Sequence, residues 1–453
     1  MSLQIFDTLA REKREFLPIE PEKIGLYVCG MTVYDRCHLG HGRVMVAFDA
    51  IVRYLKFRGF NVLYVRNITD VDDKIFARAA DQSIPFTQLT EQMIESMHND
   101  EVKLGCVQPD QEPRATNNIP SMVELINTLI NNGSAYQGTS GDVYFRVDSF
   151  PAYGKLNNRN LDDMIAGARV AVVEDKENPA DFVLWKQAKE GEESWASPFG
   201  PGRPGWHIEC SAMSMNALGN TFDIHGGGPD LKFPHHENEI AQSEAATGCT
   251  FANYWMHAGA VRVDEEKMSK SLGNFVTLDE LFADHHPEVI RFFLLQSHYR
   301  SAIAFSEPAL IKAESAYTRL VQCLPKVVSE TDPDSMKKFM EYMNDDFNTP
   351  RAIALMFDLL NNGSDQAHST IAFIGNVLGF FSAGRENFLK ESQELKAVNS
   401  QYSDVDIDEL IQQRQAARDE RSFDAADAIR DQLSGAGIII EDSPGKATTW
   451  RRR

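Results

Sequence analysis

Two short clusters, His38-Leu39-Gly40-His41 and Lys267-Met268-Ser269-Lys270-Ser271, have side chains suited to phosphate chemistry. The first follows a short apolar run, Gly25 to Gly30, and opens a helical pattern. A helix N-terminus offers unpaired N–H groups and the positive end of a dipole, so anions settle there. Gly40 lets a flat ring approach the backbone. His38 and His41 can donate hydrogen bonds to phosphoryl oxygens as charge develops. In the second cluster, Lys267 and Lys270 flank small polar residues just beyond a strand-like run. Such a loop can carry ammonium groups onto a leaving pyrophosphate. A glycine-rich turn, Gly226-Gly227-Gly228-Pro229-Asp230, follows another strand signal. Each cluster alone also fits an ordinary surface loop or turn.

A second kind of chemistry comes from soft ligands. Cys29 ends the first apolar run, Cys210 lies in residues 205–212, and His235 and Glu239 stand four apart on a helical pattern. Residues at that spacing face one point. Two thiolates, an imidazole and a carboxylate are a plausible zinc set. The long separation of Cys29 from Cys210 matches no zinc-ribbon spacing, and Cys37, Cys249 and His236 compete as ligands on composition alone. Position favours the first set. Cys29 lies on the strand that leads into His38, at the end of a sheet where ligands bind.

The elements that must hold these groups are legible in outline. Gly25–Gly30 reads as a buried strand. From His38 to Arg58 a helix is expected, with Val44, Ala47, Phe48, Ile51 and Leu55 on one face and Gly59 as its stop. Asn61–Arg66 is the next strand. Strand, helix, strand at this spacing is a βαβ unit and implies a parallel sheet. The strand signal returns at Phe222–His225, a helix runs to about Thr247, and Trp255–Val263 is a further strand-like run. The fold class is therefore α/β, a parallel sheet split by an insertion, followed by a helical bundle and a small C-terminal α+β unit. We divide the chain into residues 1–115 and 206–250 (two halves of the catalytic domain), 116–205 (connecting insertion), 251–310 (lysine-loop region), 311–395 (helical bundle) and 396–453 (C-terminal unit). In the last, Asp404–Leu433 reads as two short helices and the remainder as a hairpin.

Composition sets limits. The chain has 453 residues, of which 43% are hydrophobic, so it can fill a large core. No apolar run is long enough for a membrane span. Nothing at the N-terminus resembles a secretion signal, and the expected location is the cytoplasm. Six scattered cysteines are too few for a disulfide scaffold. The net charge of −21 argues against a general nucleic-acid coat, though not against a folded RNA held along a local basic stripe such as Arg451 to Arg453.

In this order, the histidine and lysine clusters resemble the two signature motifs of class I aminoacyl-tRNA synthetases, with Leu39 where isoleucine is frequent. That likeness implies a Rossmann-type sheet, His38, Gly40 and His41 at the ATP phosphates, Lys270 with Lys267 stabilising the transition state, and Asp230 near the ribose. Over nearly its whole length the chain further resembles the cysteinyl-tRNA synthetases. The likeness is carried by YVCGMTVYD (27–35), NITDVDDK (67–74), GWHIEC (205–210), PHHENE (234–239), ADAIRD (426–431) and GIIIED (437–442), with Met31 where proline is frequent. It implies one zinc ion on Cys29, Cys210, His235 and Glu239, ATP with Mg²⁺ as substrate, and L-cysteine and tRNA(Cys) as partners. Trp206 and Thr69 are candidate walls of the amino-acid pocket, Thr69 and Asp70 alternatively helix caps. We expect a monomer. Three rivals share parts of the pattern: a ligase joining cysteine to an amino sugar, as in mycothiol synthesis; a zinc-dependent RNA-binding protein; and a nucleotidylyltransferase.

Overall fold

The computed structural model describes residues 2–158, 175–263, 266–267, 275–398, 404–419, 422–436, 438–441 and 448–452. Its centre is a four-stranded parallel sheet. Strand β1 (Lys23–Val28) leads into helix α1 (Leu39–Phe57), and β2 (Asn61–Arg66) lies beside β1. Helix α2 (Trp206–Leu218), strand β3 (Phe222–Gly227), helix α3 (Glu237–Thr247) and strand β4 (Ala252–His257) supply the second half. The order across the sheet is β4-β3-β1-β2. The two halves join where β1 pairs with β3, with Tyr27 opposite His225 and Val28 opposite Gly226. Both central strands end in buried residues, so β1 and β3 deliver Cys29 and Gly227 to one end of the sheet.

Between the halves stand helix Ile119–Asn131 and a separate antiparallel sheet of Ala135–Gln137, Val143–Phe145, Phe182–Gln187 and Gly202–Pro204. The strand-like run expected from Trp255 to Val263 is broken. After β4, Val261–Val263 joins a different sheet, pairing with Ile303–Phe305 and Glu266–Lys267. The break falls at Gly259, where a Cβ would stand 2.0 Å from the Ser301 carbonyl oxygen, so only glycine admits the crossing backbone. Helices Glu307–Gln322, Pro333–Asn344, Thr349–Asn362, Asp365–Val377 and Gly384–Val398 follow. Helices Asp404–Asp419 and Phe423–Gly435 pack on the hairpin of Ile438–Glu441 and Thr449–Arg452 around Ile407, Leu433 and Ile438.

Helix α1 buries more than the single face its pattern suggests. Arg43 and Asp49 are 1% exposed. Helix Pro287–Leu295 covers the second face, and its Arg291 pairs with Asp49 while also donating to the carbonyls of Leu104 and Leu378. Asp49 also accepts from Arg53 and from the Val107 amide. Removing one partner leaves the other charge buried and unmatched. Asp49→Ala should therefore lower unfolding free energy by about 3 to 5 kcal/mol, read as an earlier urea midpoint.

Candidate active site and metal centre

At the mouth of α1, His38 is the N-cap. Its Nδ1 accepts from the His41 amide at 3.1 Å, and His41 Nδ1 accepts from the His38 amide at 3.2 Å. The rings stack with centroids 3.6 Å apart. Because both Nδ1 atoms accept, a neutral ring carries its proton on Nε2, so each imidazole is set to donate from that atom. The residues just past the lysine loop lie against this turn. Leu39 N donates to Val276 O, Leu278 N donates to Cys37 O, and Phe275 sets its ring edge-on to His38. Lys267 belongs to strand Glu266–Lys267, whereas Lys270 lies outside the described residues.

A cleft of about 460 Å³ opens here, lined among others by Cys29, His38, Gly40, His41, Trp206 and Asp230. It thus gathers six of the twelve positions singled out from sequence; of the four soft ligands, Cys29 is the one in its lining among the described residues. Gly226 must lack a side chain because a Cβ would overlap the Phe48 ring, at 2.3 Å, where β3 packs on α1. Thr69 is 1% exposed, its hydroxyl accepting from Asn67 Nδ2 and its backbone pairing with that of Thr32, which does line the cleft. Among the described residues neither Thr69 nor Asp70 stands at the N-cap position of a helix. Asp72 is the N-cap of helix Asp73–Gln82, and Asp70 instead accepts from the backbone and hydroxyl of Thr116.

The four soft ligands converge. Cys29 Sγ is 3.7 Å from Cys210 Sγ and 3.5 Å from Glu239 Oε1, and His235 Nε2 is 3.1 Å from the same oxygen. All four residues are buried. An ion in a tetrahedron of such ligands sets edges of about 3.8 Å between sulfurs, about 3.5 Å from sulfur to oxygen and about 3.3 Å from nitrogen to oxygen. The donor set and its spacings therefore fit a zinc-like ion. The other candidate ligands stand in different settings. Cys249 is exposed, and Cys37 lies beside Met31 Sδ. His236 stands close, in an alternative set with Cys29, His225 and Glu239, but that set offers one thiolate instead of two.

His235 and Glu239 do not share one regular helix. His235 sits in a π-helical turn, Lys232–His236, that runs into α3. The tertiary setting restores the convergence that simple helical spacing suggested. Burial raises the Cys29 thiol well above its ordinary range, and hydrogen bonding with Cys210 adds to this. Burial would raise Cys210 too, but the hydrogen bond from Cys29 and the His235 imidazole outweigh it and bring it down to about 6. Burial disfavours charge on His235, yet Glu239 and Cys210 overcome it and raise the ring to about 10.

Sequence reasoning missed the layer behind the ligands. His225 Nε2 hydrogen-bonds Glu239 Oε2 at 2.8 Å, His207 Nδ1 meets His235 Nδ1 at 2.9 Å, and His236 meets His257 at 2.8 Å. Trp206 lies over His235, ring centroids 4.3 Å apart. The only signal available was that His225 and His257 stand in apolar strands, and that pattern equally describes a core histidine.

The fold is that of a class I aminoacyl-tRNA synthetase. A family model described as "tRNA synthetases class I (C) catalytic domain" matches residues 15–315, and a DALR domain matches 338–382. The solved methionyl-tRNA synthetase of Mycobacterium tuberculosis in complex with methionyl-adenylate superposes with a TM-score of 0.57 at 14% identity, covering 83% of this chain and 94% of that one, a likeness of fold. Residues 404–451 match the "Cysteinyl-tRNA ligase anticodon binding domain". The cysteine–tRNA ligases of Methylococcus capsulatus and Nitrosomonas europaea are each 51% identical, across 99% of this chain and 100% of theirs. The chain belongs to the cysteine–tRNA ligase family and is an enzyme of that kind. Among the described residues, no helix is long and apolar enough to cross a membrane.

Proposed function

We propose that the enzyme joins L-cysteine to ATP as cysteinyl-adenylate, releasing pyrophosphate, and then passes the cysteinyl group to the 3′-terminal ribose of tRNA(Cys). The observation that carries this reading is the ligand cluster, with edges suited to a tetrahedral ion, which reaches the cleft of His38 and His41 through Cys29. Cys29, Cys210, His235 and Glu239 would hold a zinc ion, which when bound would supply a Lewis acid that takes a thiolate ligand strongly and serine's hydroxyl poorly. His207 and His225 fix His235 and Glu239 from behind. His225→Gln should weaken metal affinity by about 10- to 100-fold in a chelator competition, with the fold retained.

The phosphate end works by positioning and charge. His38 and His41 donate from Nε2 to the phosphoryl oxygens, and Gly40 leaves room for the nucleotide against the backbone. Lys267 and Lys270 meet the charge that builds on the leaving pyrophosphate, and Mg²⁺ rides mainly on the phosphates. Asp230 is assigned to the ribose, and Trp206 and Thr69 to the amino-acid pocket. No protein nucleophile is needed, because the cysteine carboxylate attacks the α-phosphate itself. Residues 311–395 and 396–453 read the tRNA, with the chain acting as a cytoplasmic monomer. The folded C-terminal unit favours tRNA over an amino-sugar acceptor, since a small sugar needs no such platform.

The test uses ATP–pyrophosphate exchange with cysteine and with serine, followed by labelled-cysteine transfer to tRNA or to the amino sugar. Exchange should require cysteine, and label should appear on tRNA alone. Equal exchange with serine would remove the metal's role in selection, and label on the sugar would replace the acceptor.

A further inference from the structure

Lys74 is the lysine or arginine in the cleft lining whose charged group makes no ion pair among the described residues; the nearby Asp72 carboxylate accepts from its backbone amide instead. Arg36 is paired with Asp279, and Arg66 with Glu101 and Glu112. Lys74 instead holds its ammonium 5.6 Å from the centre of the Tyr34 ring, and Tyr34 also lines the cleft. In a chain of net charge −21, an unmatched cation beside an aromatic face is a local exception. The same side-chain types recognise single-stranded nucleic acid, where a ring stacks on a base and a cation meets a phosphate.

Location decides which anion this is. Lys74 opens the helix that follows β2, the sheet edge remote from β3 and Asp230. Its neighbour Asp73 is bridged to Lys186 at 2.8 Å and Arg203 at 2.6 Å, both on the inserted sheet. Residue 74 therefore stands at the rim where the insertion meets the cleft, with the His38–His41 turn and Asp230 on other elements. Tyr34 lies in the segment joining Cys29 to His38. Cys29 and His38 line the cleft as Tyr34 does, so the Tyr34 ring borders the same space as the proposed metal and phosphate groups.

We propose that Tyr34 and Lys74 seat the single-stranded 3′ end of the RNA acceptor, the ring stacking on a terminal base and the ammonium meeting a backbone phosphate. This rests on the ligase reading above. It concerns the transfer step and leaves adenylate formation to other residues.

The experiment compares Lys74→Ala, Lys74→Arg, Tyr34→Ala and Tyr34→Phe in the full chain, by RNA-free pyrophosphate exchange and by aminoacylation. The alanine variants should keep exchange within about twofold and raise KM for tRNA about tenfold, with Arg and Phe restoring most of the loss. Lys74→Ala should also flatten the salt dependence of log KM by about 0.7 per log unit. In binding assays the defect should vanish for tRNA trimmed of its 3′-terminal nucleotides. A KM for ATP that rises equally in exchange would reassign Lys74 to the nucleotide and overturn the seat, as would unchanged aminoacylation. A wild-type chain without cysteine-dependent exchange would sink the ligase reading itself, and this proposal with it.

Discussion

Cys210→Ser should cut cysteine-dependent pyrophosphate exchange by at least about a hundredfold and release the bound metal to a mild chelator. The sulfur of Cys210 is 3.7 Å from that of Cys29, and, against the opposing effect of burial, the hydrogen bond from Cys29 and the His235 imidazole bring its thiol below the ordinary range, which favours the anionic form a metal takes. A serine hydroxyl stays protonated there, is shorter, and binds a borderline-soft ion weakly. The loss should also appear in specificity. Cysteine and serine differ by one atom, and packing alone separates such pairs by about 10- to 200-fold. Selection through a metal–thiolate bond can reach about 10⁴ or more, so the cysteine-to-serine ratio of kcat/KM should collapse toward the packing limit in the variant. Metal content and both exchange rates should be measured on the same preparation. An intact ratio with metal absent would end the selectivity reading.

The second large effect concerns His38. His38→Asn should lower kcat for adenylate formation by about 10²- to 10³-fold while changing KM for ATP little. Asparagine is chosen because it caps a helix as well as any residue, so the cap on the His41 amide survives while the Nε2 donor and the ring stack on His41 are removed. His41→Asn should act alike, and the double variant should cost less than the product, since the stacked rings serve one phosphate group. Single-turnover measurement of adenylate separates this from tRNA effects. A rise in KM with kcat unchanged would mean that the histidines hold ATP equally in ground and transition states.

Much of the fold was readable because local pattern and tertiary demand agree. Asn61–Arg66 is a strand at the bounds its apolar run suggests, and α1 begins and ends at His38 and Arg58 as its cap and stop imply. The π-helical turn before α3 was not readable, because its backbone depends on what packs around His235 and His236. The broken run after Trp255 was hidden for a related reason. A strand's apolar pattern does not say which sheet it joins, and here the Ser301 backbone pressing on Gly259 divides it.

The sequence by itself determined which chemistries the chain could offer: thiolates, imidazoles and lysines of recognisable type, with helix and strand periods that carry them. Side-chain character and short-range spacing are local properties, so a linear reading reaches them. Only the tertiary structure decided that Cys29 and Cys210, far apart in the chain, meet at 3.7 Å, and that His225 rather than solvent stands behind Glu239. Those outcomes depend on β1 pairing with β3 across the insertion and on the burial that follows, which is a property of the packed core.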